Sequence, residues 1–204
     1  MSRRDNVARR CPVCRMFAEM CICGLVPRLE TRTRLHLILH RDEARKPTNT
    51  GSLAARCLVG SEVWVRGGIE QIPQVFTPDP QRLAVVLYPA DDAVPISNFR
   101  ESPLPITLVV PDGTWRQAKK MRARVPGLAA LPCVSLPGGP PTAYGLRAET
   151  HENGLATLEA IARAFGVLEG AHIQSAMEQV FTEMVARTRK LRGTFVTPAE
   201  LRNK

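Results

Sequence analysis

Three short runs, "TRLHLILH" (Thr33 to His40), "RLAVVLYP" (Arg82 to Pro89) and "PITLVVPD" (Pro105 to Asp112), constrain the fold more than anything else in the chain. Each is apolar at near-consecutive positions, the pattern of a strand covered on both faces inside a parallel sheet. "EVWVR" (Glu62 to Arg66) and "PCVSLP" (Pro132 to Pro137) are shorter strand candidates. Helical stretches fill the gaps: Thr50 to Gly60, entered through Asn49 and Thr50 as caps, then Thr114 to Val125, Gly154 to Phe165, and a long one from about His172 to Leu191. Strands alternating with helices predict an α/β fold, a mainly parallel sheet flanked by helices. Ligands of such sheets bind beyond the carboxyl ends of the strands, which here means "YPADD" and "PDGTW".

Ahead of the first strand stands "CPVCRMFAEMCIC", with Cys11, Cys14, Cys21 and Cys23. Two close pairs can bring four thiolates around one tetrahedral ion, because each pair forms a knuckle offering two sulfurs on one side. Structural Zn2+ is the first reading and an iron–sulfur cluster the second. The closing pair encloses a single residue, tighter than the usual spacing, which keeps unmetallated thiols open as a third. Residues 1–30 are therefore expected to form an N-terminal arm with a four-cysteine zinc module, and 31–204 the main domain. Cys57 and Cys133 sit in apolar surroundings and read as core. No run is long enough to span a membrane and no signal peptide precedes the cysteines, so a cytoplasmic location is expected.

Lysine and arginine number 28 against 19 acidic residues, a net charge of +9. That balance favours a polyanionic partner, with a membrane surface or plain solubility as the competing readings. Arg3, Arg4, Arg9 and Arg10 make the N-terminus either a frayed tail or a phosphate-seeking arm. Arg116, Lys119, Lys120 and Arg124 form a stripe opposite an apolar face of Trp115, Ala118, Met121 and Val125, suited to RNA phosphates or simply solvated. The last helix offers Ile173, Met177, Val180, Met184 and Leu191 for packing and ends in Arg187, Arg189, Lys190 and Arg192.

Asp112 stands where a buried strand ends and a helix begins. It can cap that helix, but Thr114 is an equally good cap and lies closer, leaving the carboxylate available for chemistry. His40 and Glu43 flank the end of the first strand, where a lone histidine is more often structural than catalytic. "GGPPTAYGLRAETHENG" (Gly138 to Gly154) is long irregular chain of the kind that carries function.

Together, the cysteine pattern, "NTG" at Asn49 to Gly51, "YP" at Tyr88 and Pro89, "DGTW" at Asp112 to Trp115, and "LRAETHENGLATLEAIA" from Leu146 to Ala162 resemble the DTW domain family, the tRNA-uridine aminocarboxypropyltransferases. The resemblance runs in order along nearly the whole chain. It implies a SPOUT-like fold with a deep trefoil knot, and transfer of the 3-amino-3-carboxypropyl group of S-adenosylmethionine to N3 of a tRNA uridine. Its implied partners are tRNA and S-adenosylmethionine, with no membrane and no stable protein partner. Asp112 would take the N3 proton or anchor the co-substrate. Leu87, Tyr88, Pro89, Val110, Pro111, Gly113, Thr114, Trp115 and Thr157 would cradle it. Arg147 would meet its carboxylate or an RNA phosphate, or form a structural ion pair. Ala156 departs from the family's usual serine, which puts any hydroxyl contact there in doubt. Glu159 reads as a helix-surface or loop-anchoring residue as readily as a site residue. The alternatives are a SPOUT-type RNA methyltransferase and a non-catalytic zinc-bearing RNA-binding protein.

Overall fold

A computed structural model of the chain describes residues 9–67, 74–145 and 154–191. Its centre is a six-stranded sheet built from β1 (Arg34–His40), β2 (Glu62–Arg66), β3 (Leu83–Leu87), β4 (Val94–Pro95), β5 (Ile106–Asp112) and β6 (Cys133–Ser135). The order is β2-β1-β5-β3-β6-β4, and every pairing is parallel. The helices are a single turn α1 (Arg41–Ala44), then α2 (Thr50–Cys57), α3 (Trp115–Arg124), α4 (Thr157–Glu169) and α5 (Ala171–Leu191). The expected α/β architecture is therefore present.

Alternation along the strands feeds two cores. Leu35, Leu37 and Leu39 of β1, with Leu108 and Val110 of β5, face α2, α4 and α5. Ile38 and Val109 point the other way, towards Met121 and Val125 of the α3 segment. This two-sided cover is why the strands read as continuous apolar runs.

The N-terminal stretch adds two 3-10 turns, Ala18–Met20 and Cys23–Leu25. Its Met16 and Ile22 are buried in the same core as α5. Arg187 of α5 donates to the Cys21 carbonyl, and Leu29 bridges to Leu58 in parallel.

Several boundaries differ from expectation. The helix expected from Gly154 begins at Thr157 and runs on to Glu169, where Gly170, at φ 116°, ends it in a conformation only glycine adopts without strain. Along α5, Phe181 is buried while Leu191 is 39% exposed, because the last turn runs past the edge of the core. Trp115 is 42% exposed rather than part of the buried stripe: α3 starts beyond the end of β5, so its first turn overhangs the sheet. Strand β4 is two exposed residues, too short to leave a pattern.

Helix α4 is fastened at both ends. At its C-terminal end the Glu169 carboxylate accepts from the backbone N–H of Arg32 at 3.0 Å and of Thr33 at 2.7 Å, at the entry to β1. At its other end Thr157 reaches the exit of β5. The chain leaves β1 for β2 on one side and β5 for β6 on the other, so the gap between the carboxyl ends of β1 and β5 is a topological switch point.

Candidate active site

Register puts Asp112 opposite Leu39 at that switch point. Its side chain is 5% exposed. One carboxylate oxygen, Oδ2, accepts from Asn49 Nδ2 at 2.8 Å, and Oδ1 accepts from the Thr157 hydroxyl at 2.6 Å. Asn49 is the N-cap of α2, its own Oδ1 accepting from the Ser52 N–H at 2.7 Å. Thr157 is the first residue of α4, and the Leu158 N–H reaches the Thr50 hydroxyl at 3.4 Å. Helix α3 starts three residues after Asp112, so the N-termini of three helices converge on one carboxylate.

Thr114, not Asp112, caps α3. Its hydroxyl accepts from the Gln117 N–H, and Gln117 Oε1 accepts from the Thr114 N–H at 2.8 Å, a complete capping box. Asp112 is thereby released from that task. Gly51 is required by proximity, since a Cβ there would lie 2.4 Å from Asp112 Oδ2.

The other expected residues fall around this cluster. Leu87, Tyr88 and Pro89 lie at the exit of β3, hydrogen-bonded neighbour of β5. Val110 and Pro111 are buried within β5 and offer backbone only, while Gly113 follows at the strand's exit. The exposed Trp115 ring meets Tyr88 edge-on, centroids 6.3 Å apart, and the Arg122 guanidinium lies 5.8 Å from the Tyr88 centroid. Arg116, Lys119, Lys120 and Arg124 all project from the exposed face of α3. Arg147 lies outside the described residues, as do Leu146–Asn153 of the matched motif and Arg3, Arg4 and Arg192.

His40 and Glu43 serve locally. His40 Nδ1 accepts from the Asp42 N–H at 3.3 Å as the cap of α1 and lies 3.1 Å from Gln117 Nε2, while Glu43 is buried and pairs with Lys46.

Glu159 is the residue that sequence reasoning left open. Its buried carboxylate accepts from the Thr142 hydroxyl, from the Ala143 N–H at 2.8 Å and from the Ala156 N–H at 2.9 Å. It therefore ties Thr142 and Ala143 to the start of α4. The sequence signal was a glutamate at capping-box spacing behind Ala156, which has no hydroxyl to complete the box. Tyr144 adds a second tie, donating from its hydroxyl to the Thr48 carbonyl at 2.9 Å while stacking on Phe181.

The four N-terminal cysteines do converge. Their sulfurs lie within 4.8 Å of one another, with Cys11–Cys23 and Cys14–Cys21 at 3.7 Å. Four sulfurs at ~2.3 Å from a zinc ion sit ~3.8 Å apart in a tetrahedron, so the set fits that ion. Backbone N–H groups of Cys14 and Val13 hold the Cys11 thiol down at about 6, whereas at Cys21 the Cys23 N–H pulls down but the Cys11 and Cys23 sulfurs push the thiol up to about 12. Arg56 Nη2 donates to Cys23 Sγ at 3.3 Å and the Cys23 N–H to Cys21 Sγ at 3.5 Å, the outer-sphere donors such a site uses.

Comparison with known proteins places the chain in a family. Residues 8–189 match the model of the DTW domain. The Macaca fascicularis protein "tRNA-uridine aminocarboxypropyltransferase 2" is 30% identical over 78% of this chain, which spans 56% of that protein's length. A Drosophila melanogaster protein of the same name is 30% identical over 80% of this chain and 68% of its own. The Arabidopsis thaliana "tRNA-uridine aminocarboxypropyltransferase A" is 28% identical over 86% and 79%. The solved structure of the SAM-dependent rRNA:acp-transferase Tsr3 from Vulcanisaeta distributa, 16% identical, covers 86% of this chain and 93% of that one at a TM-score of 0.39. With its family match running from the cysteine module to the last turns of α5, the chain belongs to the DTW domain family.

Proposed function

We propose that the chain is an S-adenosylmethionine-dependent tRNA-uridine aminocarboxypropyltransferase, moving the 3-amino-3-carboxypropyl group to N3 of a uridine and releasing methylthioadenosine. The observation that carries the reading is the buried, doubly hydrogen-bonded Asp112 carboxylate at the switch point of a DTW domain, flanked by the strand exits that would hold the co-substrate. A negative site suits this co-substrate, which carries a sulfonium and an ammonium. The sulfonium makes each attached carbon electrophilic, so which group moves depends on how the site aims it.

The chain's own residues then have separable tasks. Asp112, with both oxygens already engaged, fixes α2 and α4 against β5 and supplies the negative charge. That geometry supports an anchoring role, since Asn49 and Thr157 already hold one donor on each oxygen. The backbone at Leu87–Pro89 and Val110–Thr114, with Thr157, forms the cradle, and Trp115 and Tyr88 wall its open side. Arg147 meets the co-substrate carboxylate or RNA. Arg116, Lys119, Lys120 and Arg124 take RNA phosphates. Cys11, Cys14, Cys21 and Cys23 hold a structural Zn2+ in a module spanning 1–30, attached to a catalytic domain spanning 31–204. A deep trefoil knot belongs to the same reading. Among the described residues no helix is long and apolar enough to cross a membrane; a cytoplasmic setting is part of the same proposal.

The test is to incubate the protein with unmodified tRNA and S-adenosylmethionine and identify the released nucleoside by mass spectrometry. Methylthioadenosine is expected; S-adenosylhomocysteine would make the protein a methyltransferase instead. Asp112→Asn should abolish product and weaken S-adenosylmethionine binding in a direct titration while tRNA binding persists. A variant active at the wild-type rate would remove Asp112 from the site.

A further inference from the structure

On the far side of Asn49 from Asp112, a cleft of about 210 Å³ opens between the cysteine module and the sheet edge. Three cations from three separate segments line it: Arg15 from the module, Lys46 from the chain after α1, and Arg56 from α2. Each keeps donors in reserve. Arg15 spends one N–H on the Ala44 carbonyl, Arg56 one on Cys23 Sγ, and Lys46 one on Glu43. Three exposed valines line the same cleft: Val13 at 61% exposure, and Val63 and Val65 of edge strand β2 at 43% and 37%. Asn49 lines the inner end, so one side chain separates the cleft from the Asp112 cluster.

We infer that this cleft seats a nucleotide of the RNA strand adjoining the modified uridine, with its phosphates on Arg15, Lys46 and Arg56 and its base against the valines. The inference rests on the tRNA reading above and extends it. Cations and apolar side chains in one cleft can neutralise the phosphate and cover the base of an unstacked nucleotide, and neither half alone would select one. Placement supports the same occupant. The cleft lies on the α2 side of the sheet, whereas the Arg116–Lys119–Lys120–Arg124 stripe lies on the α3 side, and Asp112 lies at the sheet end between them. A strand crossing that end meets cations on both flanks of the candidate site. The cysteine module thereby becomes one wall of the RNA path, which explains why it is docked beside β2 and α2 rather than projecting from the domain.

The test measures binding of an unmodified tRNA transcript to the full chain by fluorescence anisotropy across a salt series. Lys46→Glu combined with Val63→Glu should weaken binding at least about tenfold. The slope of log affinity against log salt should flatten by ~0.7–0.9 for each phosphate no longer neutralised. The far-ultraviolet circular dichroism and the affinity for S-adenosylmethionine should stay at wild-type values, while loss of the Lys46–Glu43 pair lowers the melting temperature. Should the double variant fold poorly, Lys46→Gln, an exposed neutral replacement, is expected to show the flattened slope by itself. Lys119→Glu with Lys120→Glu on α3 serves as the comparison. If the α3 pair weakens binding while folded cleft variants hold tRNA as tightly as wild type, the cleft is not on the RNA path and the inference falls alone. A wild-type chain that does not bind tRNA overturns both this inference and the functional reading beneath it.

Discussion

At the scale of single residues, Gly51 shows how closely the site is built. A glycine inside a helix ordinarily costs ~1 kcal/mol relative to alanine, so Gly51→Ala would stabilise a free helix. Here the added methyl has to displace the Asp112 carboxylate, its nearest atom in the structure at 2.4 Å. Gly51→Ala is therefore expected to destabilise by ~1–3 kcal/mol in urea denaturation and to weaken S-adenosylmethionine binding; a more stable variant would contradict the geometry. His36 makes a second residue-level prediction. It is 4% exposed, wedged edge-on between Trp64 and Phe76 at 4.2 and 5.0 Å, and its Nε2 has no hydrogen-bond partner among the described residues. Burial pushes its pKa below the ordinary 6.5, against the opposing pull of Glu62. The unfolded chain thus takes up a proton that the folded one resists, so this contribution is complete above pH 6.5 and is lost as pH falls below it. His36→Phe should flatten the acid limb of the stability curve below that point, read from urea midpoints at a series of pH values.

At the scale of elements, the sequence revealed what periodicity and capping encode. The core strands β1, β3 and β5 declared themselves through two-sided burial, and α3 through the Thr114 cap that the structure completes with Gln117. The start of α4 was misplaced because Ala156 has no capping hydroxyl and its partner, Glu159, takes Thr142 and Ala143 as well, bonds that depend on chain folding back from β6. Asn49 read as a cap, which it is; its second task of holding Asp112 joins residues 63 positions apart and leaves no local trace. Glu159→Gln can no longer accept with both ends of its side chain. It should cost ~1–3 kcal/mol and open the stretch between 144 and 155 to limited proteolysis. Unchanged cleavage in a variant of unchanged stability would show that the clasp is dispensable.

At the scale of the whole molecule, the cysteine module is continuous with the core rather than tethered to it. Met16 and Ile22 are buried with α5, Arg187 holds the Cys21 carbonyl, and Arg56 ties Cys23 to the helix whose cap touches Asp112. Purified protein is expected to carry near-stoichiometric zinc. Replacing Cys11 and Cys14 together by serine should remove it and lower the melting temperature of the entire chain in one transition; a metal-free variant that melts as wild type would dismiss a structural ion. Helix α4 has a consequence of another kind. It is bolted by Glu169 to the entry of β1 and by Thr157 to the exit of β5, so it works as a gauge block cut to the depth of the sheet. Removing one residue from its middle would shorten it by ~1.5 Å and turn Thr157 by ~100° away from Asp112. Among descendants of this chain, the count of thirteen residues in α4 is the dimension that inheritance has to hold fixed.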